Sequence, residues 1–149
     1  MTSSLKTFYW MATVYTALGL LSGLFYREFT KFNGVPGGTQ LAVVHTHLLT
    51  LGAICSLLFL VLQKLFDLSA LPKRYRAFVI TYNIGICLTA VMMVVKGCLQ
   101  VLGNDFADSP MIAGMSGLGH MTITAAFVLL LLILGNRVGA LGKATVQNV

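Results

Sequence analysis

The chain has 149 residues, of which 57% are hydrophobic and only 9% charged, with a mean hydropathy of +0.87. A soluble domain carries about 25% charged residues, so this sequence lacks the polar surface of a water-facing globule, and its composition equally excludes a disordered chain or a disulfide scaffold. The net charge of +6 sits in short basic clusters between long uncharged runs, a pattern of membrane flanks and not of a nucleic-acid face.

Four runs contain no Asp, Glu, Lys or Arg: from Thr7 to Tyr26, from Phe32 to Gln63, from Ala77 to Val95 and from Ser109 to Asn136. About 20 apolar residues at 1.5 Å rise cross a hydrocarbon core of about 30 Å. A segment in lipid must satisfy its own backbone, which makes helices the expected form. The period-two alternation of a transmembrane barrel is missing. The expectation is an all-α polytopic membrane protein, a single domain over residues 1–149, with transmembrane helices near 5–27, 39–64, 74–100 and 110–135.

In the first helix, Tyr9, Trp10 and Tyr15 read as an interfacial aromatic belt, and Gly19 and Gly23 form a small-residue packing motif. Its apolar stretch is too long for a signal-peptide core, and no A-x-A site follows. The first connection holds Asn33-Gly34-Val35-Pro36-Gly37-Gly38, residues that break regular structure. The second runs from Asp67 to Pro72, with Pro72 at the head of the third helix. Within that helix, Tyr82 and Asn83 read first as groups that hydrogen-bond between helices, with a quinone pocket as the alternative. The third connection carries Asn104, Asp105 and Asp108. Cys55, Cys87 and Cys98 lie in apolar runs without a metal or disulfide spacing. Met92, Met93, Met111, Met115 and Met121 read as filler before ligands, with Met115 and Met121 as alternative neighbours of a cofactor.

Basic residues set the expected orientation. Lys6, Lys64, Lys73, Arg74, Arg76, Arg137 and Lys143 fall on one side, and Arg27, Lys31 and Lys96 on the other. The positive-inside rule then places both termini in the cytoplasm.

All three histidines fall within predicted helices, where ionisable groups are costly and mark sites. His45 and His47 lie roughly six and eight residues into helix two, and His120 roughly ten into helix four. At 1.5 Å per residue, these positions share a slab in the outer part of the membrane. Two depth-matched imidazoles from different helices suit axial ligation of a heme iron, making His45, His47 and His120 the candidate metal ligands. A non-heme metal site, or histidines that only tie helices together, are the competing readings. Residues two apart on a helix differ by about 200°, so His45 and His47 point to nearly opposite sides and do not grip one metal together. Gly114, Ser116, Gly117 and Gly119 let a flat ring approach the backbone, with close helix packing as the other use. Gly117 and Lys96 join the cofactor-binding set. Lys96 is the preferred partner for an anionic heme propionate, whereas Arg27 and Lys31 fit headgroup snorkelling at least as well.

The stretch Val43-Val44-His45-Thr46-His47-Leu48-Leu49-Thr50-Leu51-Gly52 resembles histidine-bearing helices in subunit I of heme–copper oxidases and nitric oxide reductases. The whole chain also resembles a family of small four-helix bacterial membrane proteins of unknown function. The resemblance implies a b-type cytochrome with heme b in the bacterial plasma membrane, acting in electron transfer or diatomic gas binding with a quinone or other redox partner. Subunit I is built of three arcs of four helices, so the resemblance also implies a homo-oligomer, as a homotrimer sharing hemes between protomers. The chain departs from the oxidases in lacking a three-histidine copper site and any acidic residue within a span. The alternatives are a non-catalytic carrier or sensor of heme or metal, and a structural membrane subunit.

Overall fold

The computed structural model describes residues 3–35 and 37–147, with side chains to residue 142. Pro36 and the Lys143 side chain, both used in the sequence reading, lie outside the described residues. Four long helices make up the chain: α1 (Ser3–Phe32), α2 (Leu41–Phe66), α3 (Pro72–Val101) and α4 (Pro110–Gln147). Each is long and apolar enough to cross a membrane. Their outward faces are apolar, with Leu20, Leu21, Ile54, Leu65 and Leu131 all more than 60% exposed. Such surface suits a lipid environment and would be a liability in water.

The helices end where backbone chemistry stops them. At the end of α1, Asn33 donates from Nδ2 to the Phe29 carbonyl at 2.8 Å, and Gly34 takes a left-handed φ of 68°. The helix therefore continues through Arg27, Glu28 and Lys31, five residues beyond the predicted end at 27. Charge limits a hydrophobic span but does not break a helix. For the same reason α4 runs past Asn136 and Arg137 to Gln147. At the end of α2, Asp67 adopts φ 44°, a conformation costly for a residue with a Cβ. Its carboxylate accepts from Gln63 Nε2 and Ser69 Oγ, while Gln63 Oε1 accepts from the Ser69 amide. Pro72 opens α3 at its first turn, where a missing N–H costs nothing.

Near the N-terminus of α1 an aromatic cluster fills the core of the bundle. Phe8, Phe59, Phe78 and Tyr82 are fully buried or nearly so, and pack edge-on or tilted with centroids 4.9–6.4 Å apart. Phe127 of α4 reaches the same cluster, 5.7 Å from Tyr82 and 6.4 Å from Phe59. Tyr75 donates to the Ser4 carbonyl, and Arg137 Nε donates to the Phe66 carbonyl at 2.8 Å. These contacts place the start of α1, the α2–α3 connection and the Arg137 region at one end.

At the opposite end α2 and α3 approach closely. A Cβ on Gly97 would collide with the backbone nitrogen of Leu41, so only glycine fits there. Gln100 reaches across to accept the Gln40 amide at 2.7 Å, capping α2 from another helix. Gly19 and Gly23 face α2, against Leu49 and His45, as their spacing predicts.

Helix α2 is not uniform. Residues Leu48–Ile54 form a π-helical segment between α-helical Leu41–His47 and Cys55–Phe66. Tyr82 donates its hydroxyl to the Leu51 carbonyl at 2.5 Å, supplying a partner inside a segment whose backbone pairing is displaced. Tyr15 also departs from its predicted place. It is 4% exposed and donates to Asn83 Oδ1 at 2.6 Å, so it belongs to the core, while Tyr9 and Trp10 remain exposed.

Gly97→Val is expected to destabilise the bundle by about 1–3 kcal/mol, the usual cost of overpacking. Gly114→Ala, where a Cβ meets open space, is expected to leave stability unchanged. Thermal unfolding in detergent, followed by circular dichroism, measures both.

Candidate functional site

Where the aromatic end holds α2 and α4 together, the Gly97 end leaves them apart. Val43 and His47 of α2 face Ala113, Ser116 and His120 of α4 across a pocket of about 280 Å³, with Met92, Met93 and Lys96 of α3 as its floor. Two of the three candidate histidines thus line one pocket, from separate helices.

Both imidazoles are aimed in the same way. His47 Nδ1 lies 2.9 Å from the Val43 carbonyl, and His120 Nδ1 lies 3.0 Å from the Ser116 carbonyl. A carbonyl only accepts, so Nδ1 carries the hydrogen in each ring. In the neutral imidazole the lone pair is then at Nε2. A backbone carbonyl on the far nitrogen is the common way of fixing the orientation and tautomer of a metal-binding histidine. His47 is half-buried and His120 exposed, so the site opens outward on its α4 side.

His45 is elsewhere. Its Cβ and Cγ lie 3.6 and 3.7 Å from where a Gly23 Cβ would stand, on the α1 side of α2. Its Nδ1 is buried without a hydrogen-bond partner. The predicted divergence of His45 and His47 is therefore present, and His45 does not line the pocket.

The glycines preceding His120 divide between two uses. Gly119 is a packing residue: a Cβ there would meet Thr89 Oγ1 at 2.5 Å. At Gly114 and Gly117 a Cβ would meet nothing within 4 Å, so these two leave the outer face of α4 low and open beside the pocket. Lys96 lines the pocket, and its Nζ lies 3.5 Å from Asp108 Oδ1. Arg27 pairs with its neighbour Glu28 at 2.9 Å. Neither Arg27 nor Lys31 is among the lining residues.

Sequence reasoning passed over several members of this site. Met92 and Met93 read as filler, and they are nearly buried, 5% and 7% exposed, yet both present surface to the pocket. Met111, Met115 and Met121 are not filler, being 40–69% exposed on α4. Gln40 also lines the pocket, beside Ser116 of the small-residue run already noted in the sequence. The signal for Met93 was available: it precedes Lys96 by three residues, which puts both on one face of a helix. Tyr82 and Asn83 spend their polar groups inside the bundle, Tyr82 on Leu51 and Asn83 on Tyr15 and Val79, as interhelical tethers.

Among the described residues, no three His, Cys, Asp or Glu side chains gather closely enough to hold a metal ion. The pocket offers two imidazoles, the axial ligand number of a porphyrin iron, and not the three or four protein ligands of a zinc site. Cys55, Cys87 and Cys98 are free thiols.

The fold and pocket define a four-helix bundle of membrane-spanning character with a paired-histidine cavity between its second and fourth helices. The chain belongs to the family described as "Protein of unknown function (DUF2871)", whose model matches residues 5–137. No curated protein and no solved structure matches the chain.

With the native cysteines replaced by alanine, a His47→Cys/His120→Cys pair is expected to be bridged by one short bis-maleimide. A His45→Cys/His120→Cys pair is expected to take two linkers, each bound at one end. Intact mass spectrometry distinguishes the two products.

Proposed function

We propose that the protein is a b-type cytochrome of the bacterial plasma membrane, binding heme b between His47 and His120. The observation that carries this reading is that two imidazoles from different helices line one cavity, each with Nδ1 engaged by its own helix and Nε2 left to coordinate. The rest of the lining fits the group. Val43, Met92 and Met93 give apolar surface for a macrocycle, and Lys96 gives a cation for a propionate. Such a heme would be held by His47 and His120, and would supply one-electron chemistry or a site for a diatomic gas. The chain's own residues ligate through Nε2, hold ring orientation through the Val43 and Ser116 carbonyls, and keep water from the buried side.

Size extends the proposal to assembly. A volume of about 280 Å³ falls just below the roughly 300–1,000 Å³ of enclosing small-molecule sites. His120 and Gly117 open to the outside. A porphyrin seated there protrudes from its protomer, and a second copy of the chain is the cover we propose, with a homotrimer as the assembly. We further propose that both termini are cytoplasmic, because the end bearing Lys64, Lys73, Arg74, Arg76 and Arg137 is the more basic. The pocket then lies toward the outer face.

One observation favours a second reading. The Met92 and Met93 thioethers beside two imidazoles form a soft ligand set, which selects monovalent copper over harder cations. A metal carrier would use the same pocket without porphyrin.

Absorption spectra of protein purified from heme-replete cells decide between them. The wild type is expected to show a Soret band and, on dithionite reduction, a sharp α band. His47→Ala and His120→Ala are each expected to lose at least about tenfold in heme affinity, given that even supporting residues of a metal site cost 10–100-fold. His45→Ala is expected to keep its heme. Colourless wild-type protein that retains copper supports the carrier, and a monomeric mass in detergent removes the trimer.

A further inference from the structure

The lysine in the floor of the pocket has its own counter-ion. Lys96 comes from α3 with its side chain 26% exposed, and lines the cavity together with the two histidines. An ammonium at this depth in a membrane protein needs a counter-charge. The carboxylate that serves it, Asp108, stands at the end of the short 3₁₀ turn Asp105–Asp108 in the connection between α3 and α4, and its side chain is 84% exposed.

Several features make this pairing easy to break. At 3.5 Å the contact is longer than the 2.7–2.9 Å of a good charge-assisted hydrogen bond. The carboxylate is bathed in solvent, where an ion pair contributes at most about 1 kcal/mol. Among the described residues nothing else bonds to the Asp108 carboxylate, so no further contact is lost when it swings away. The ammonium has less freedom, being anchored on a helix whose neighbour Gly97 is locked against α2.

We propose that Asp108 is an exchangeable counter-ion. It holds Lys96 while the pocket is free, and a carboxylate of the incoming ligand displaces it when the ligand seats against His47 and His120. The pocket thereby selects acidic ligands over neutral analogues of the same shape, and Asp108 competes with every one of them. This inference rests on the porphyrin reading for the identity of the carboxylate, which would be a heme propionate.

Titration of heme-free protein in detergent micelles with heme b, and in parallel with its dimethyl ester, tests the exchange through Soret absorbance. The wild type is expected to bind heme b more tightly than the ester. Asp108→Asn is expected to tighten heme b binding about two- to fivefold, the range of a solvent-exposed ion pair, and to leave the ester unchanged. Lys96→Gln is expected to bring heme b down to the ester's affinity, and to abolish the gain from Asp108→Asn in the double variant. That last arm separates exchange at Lys96 from general repulsion between Asp108 and the ligand, which would persist without the lysine. An Asp108→Asn protein whose heme b affinity is unchanged or lower overturns the exchange and leaves the porphyrin reading standing. So does a gain that survives Lys96→Gln. A Soret band that stays at the position and intensity of the free ligand in micelles, with heme b and with the ester, overturns both.

Discussion

The close approach of α2 to α3 is the constraint on which the rest of this structure depends. Gly97 lets the backbone of α3 lie directly on Leu41, and Gln100 closes the N-terminus of α2 from the same helix. Helices packed through a side-chain layer sit about 8–10 Å apart, and a bare glycine allows a closer fit. With α2 and α3 drawn together at this end, α1 and α4 become flanking helices. The α2–α4 gap holds the histidine pocket, and the α1–α3 gap holds an apolar trough of about 420 Å³ over Val44 and Leu48. Aromatic packing around Phe59 and Phe78 fills the core at the other end. Glycine contacts at one end and rings at the other give the two ends of the bundle different packing.

Within this frame the imidazoles need little further positioning. Each histidine is aimed by the carbonyl four residues earlier in its own helix, so ring orientation is a local property. The distance between the rings is a tertiary one, set by α3. The methionines suit that division. Unbranched and flexible, they fill an irregular floor without dictating its shape.

Much of this was legible in the sequence. The four spans could be read because charge is absent from them, and the placing of His47 and His120 on one pocket because rise per residue converts position into depth. Their ends could not be placed equally well, since Arg27, Glu28 and Arg137 mark the edge of an apolar run while the helix continues until Asn33-Gly34 stops it. Tyr15 was misread for a related reason. A tyrosine near the end of a span looks like a belt residue until its partner, Asn83, is known to face it. The tie between Lys96 and Asp108 was hidden because a loop carboxylate has no periodicity to announce where it lands. The π segment was equally hidden: an apolar stretch such as Leu48–Ile54 reads as α-helix, and the group that supports its displaced pairing, the Tyr82 hydroxyl, comes from a helix some thirty residues away.

That segment acts as an angular offset built into α2. A π insertion amounts to one residue beyond the α repeat, which advances helical phase by about 100°. Everything before Leu48 is therefore turned relative to everything after Ile54. Phe59 can stay in the aromatic cluster while His47 looks into the cleft and His45 toward α1, an azimuth a regular helix would not give both ends together. The number of residues between 48 and 54 thus sets which side of α2 His47 occupies relative to Phe59. Apart from Gly52, where a Cβ would strike Tyr15, the stretch should tolerate conservative apolar exchange far better than the loss or gain of a single position.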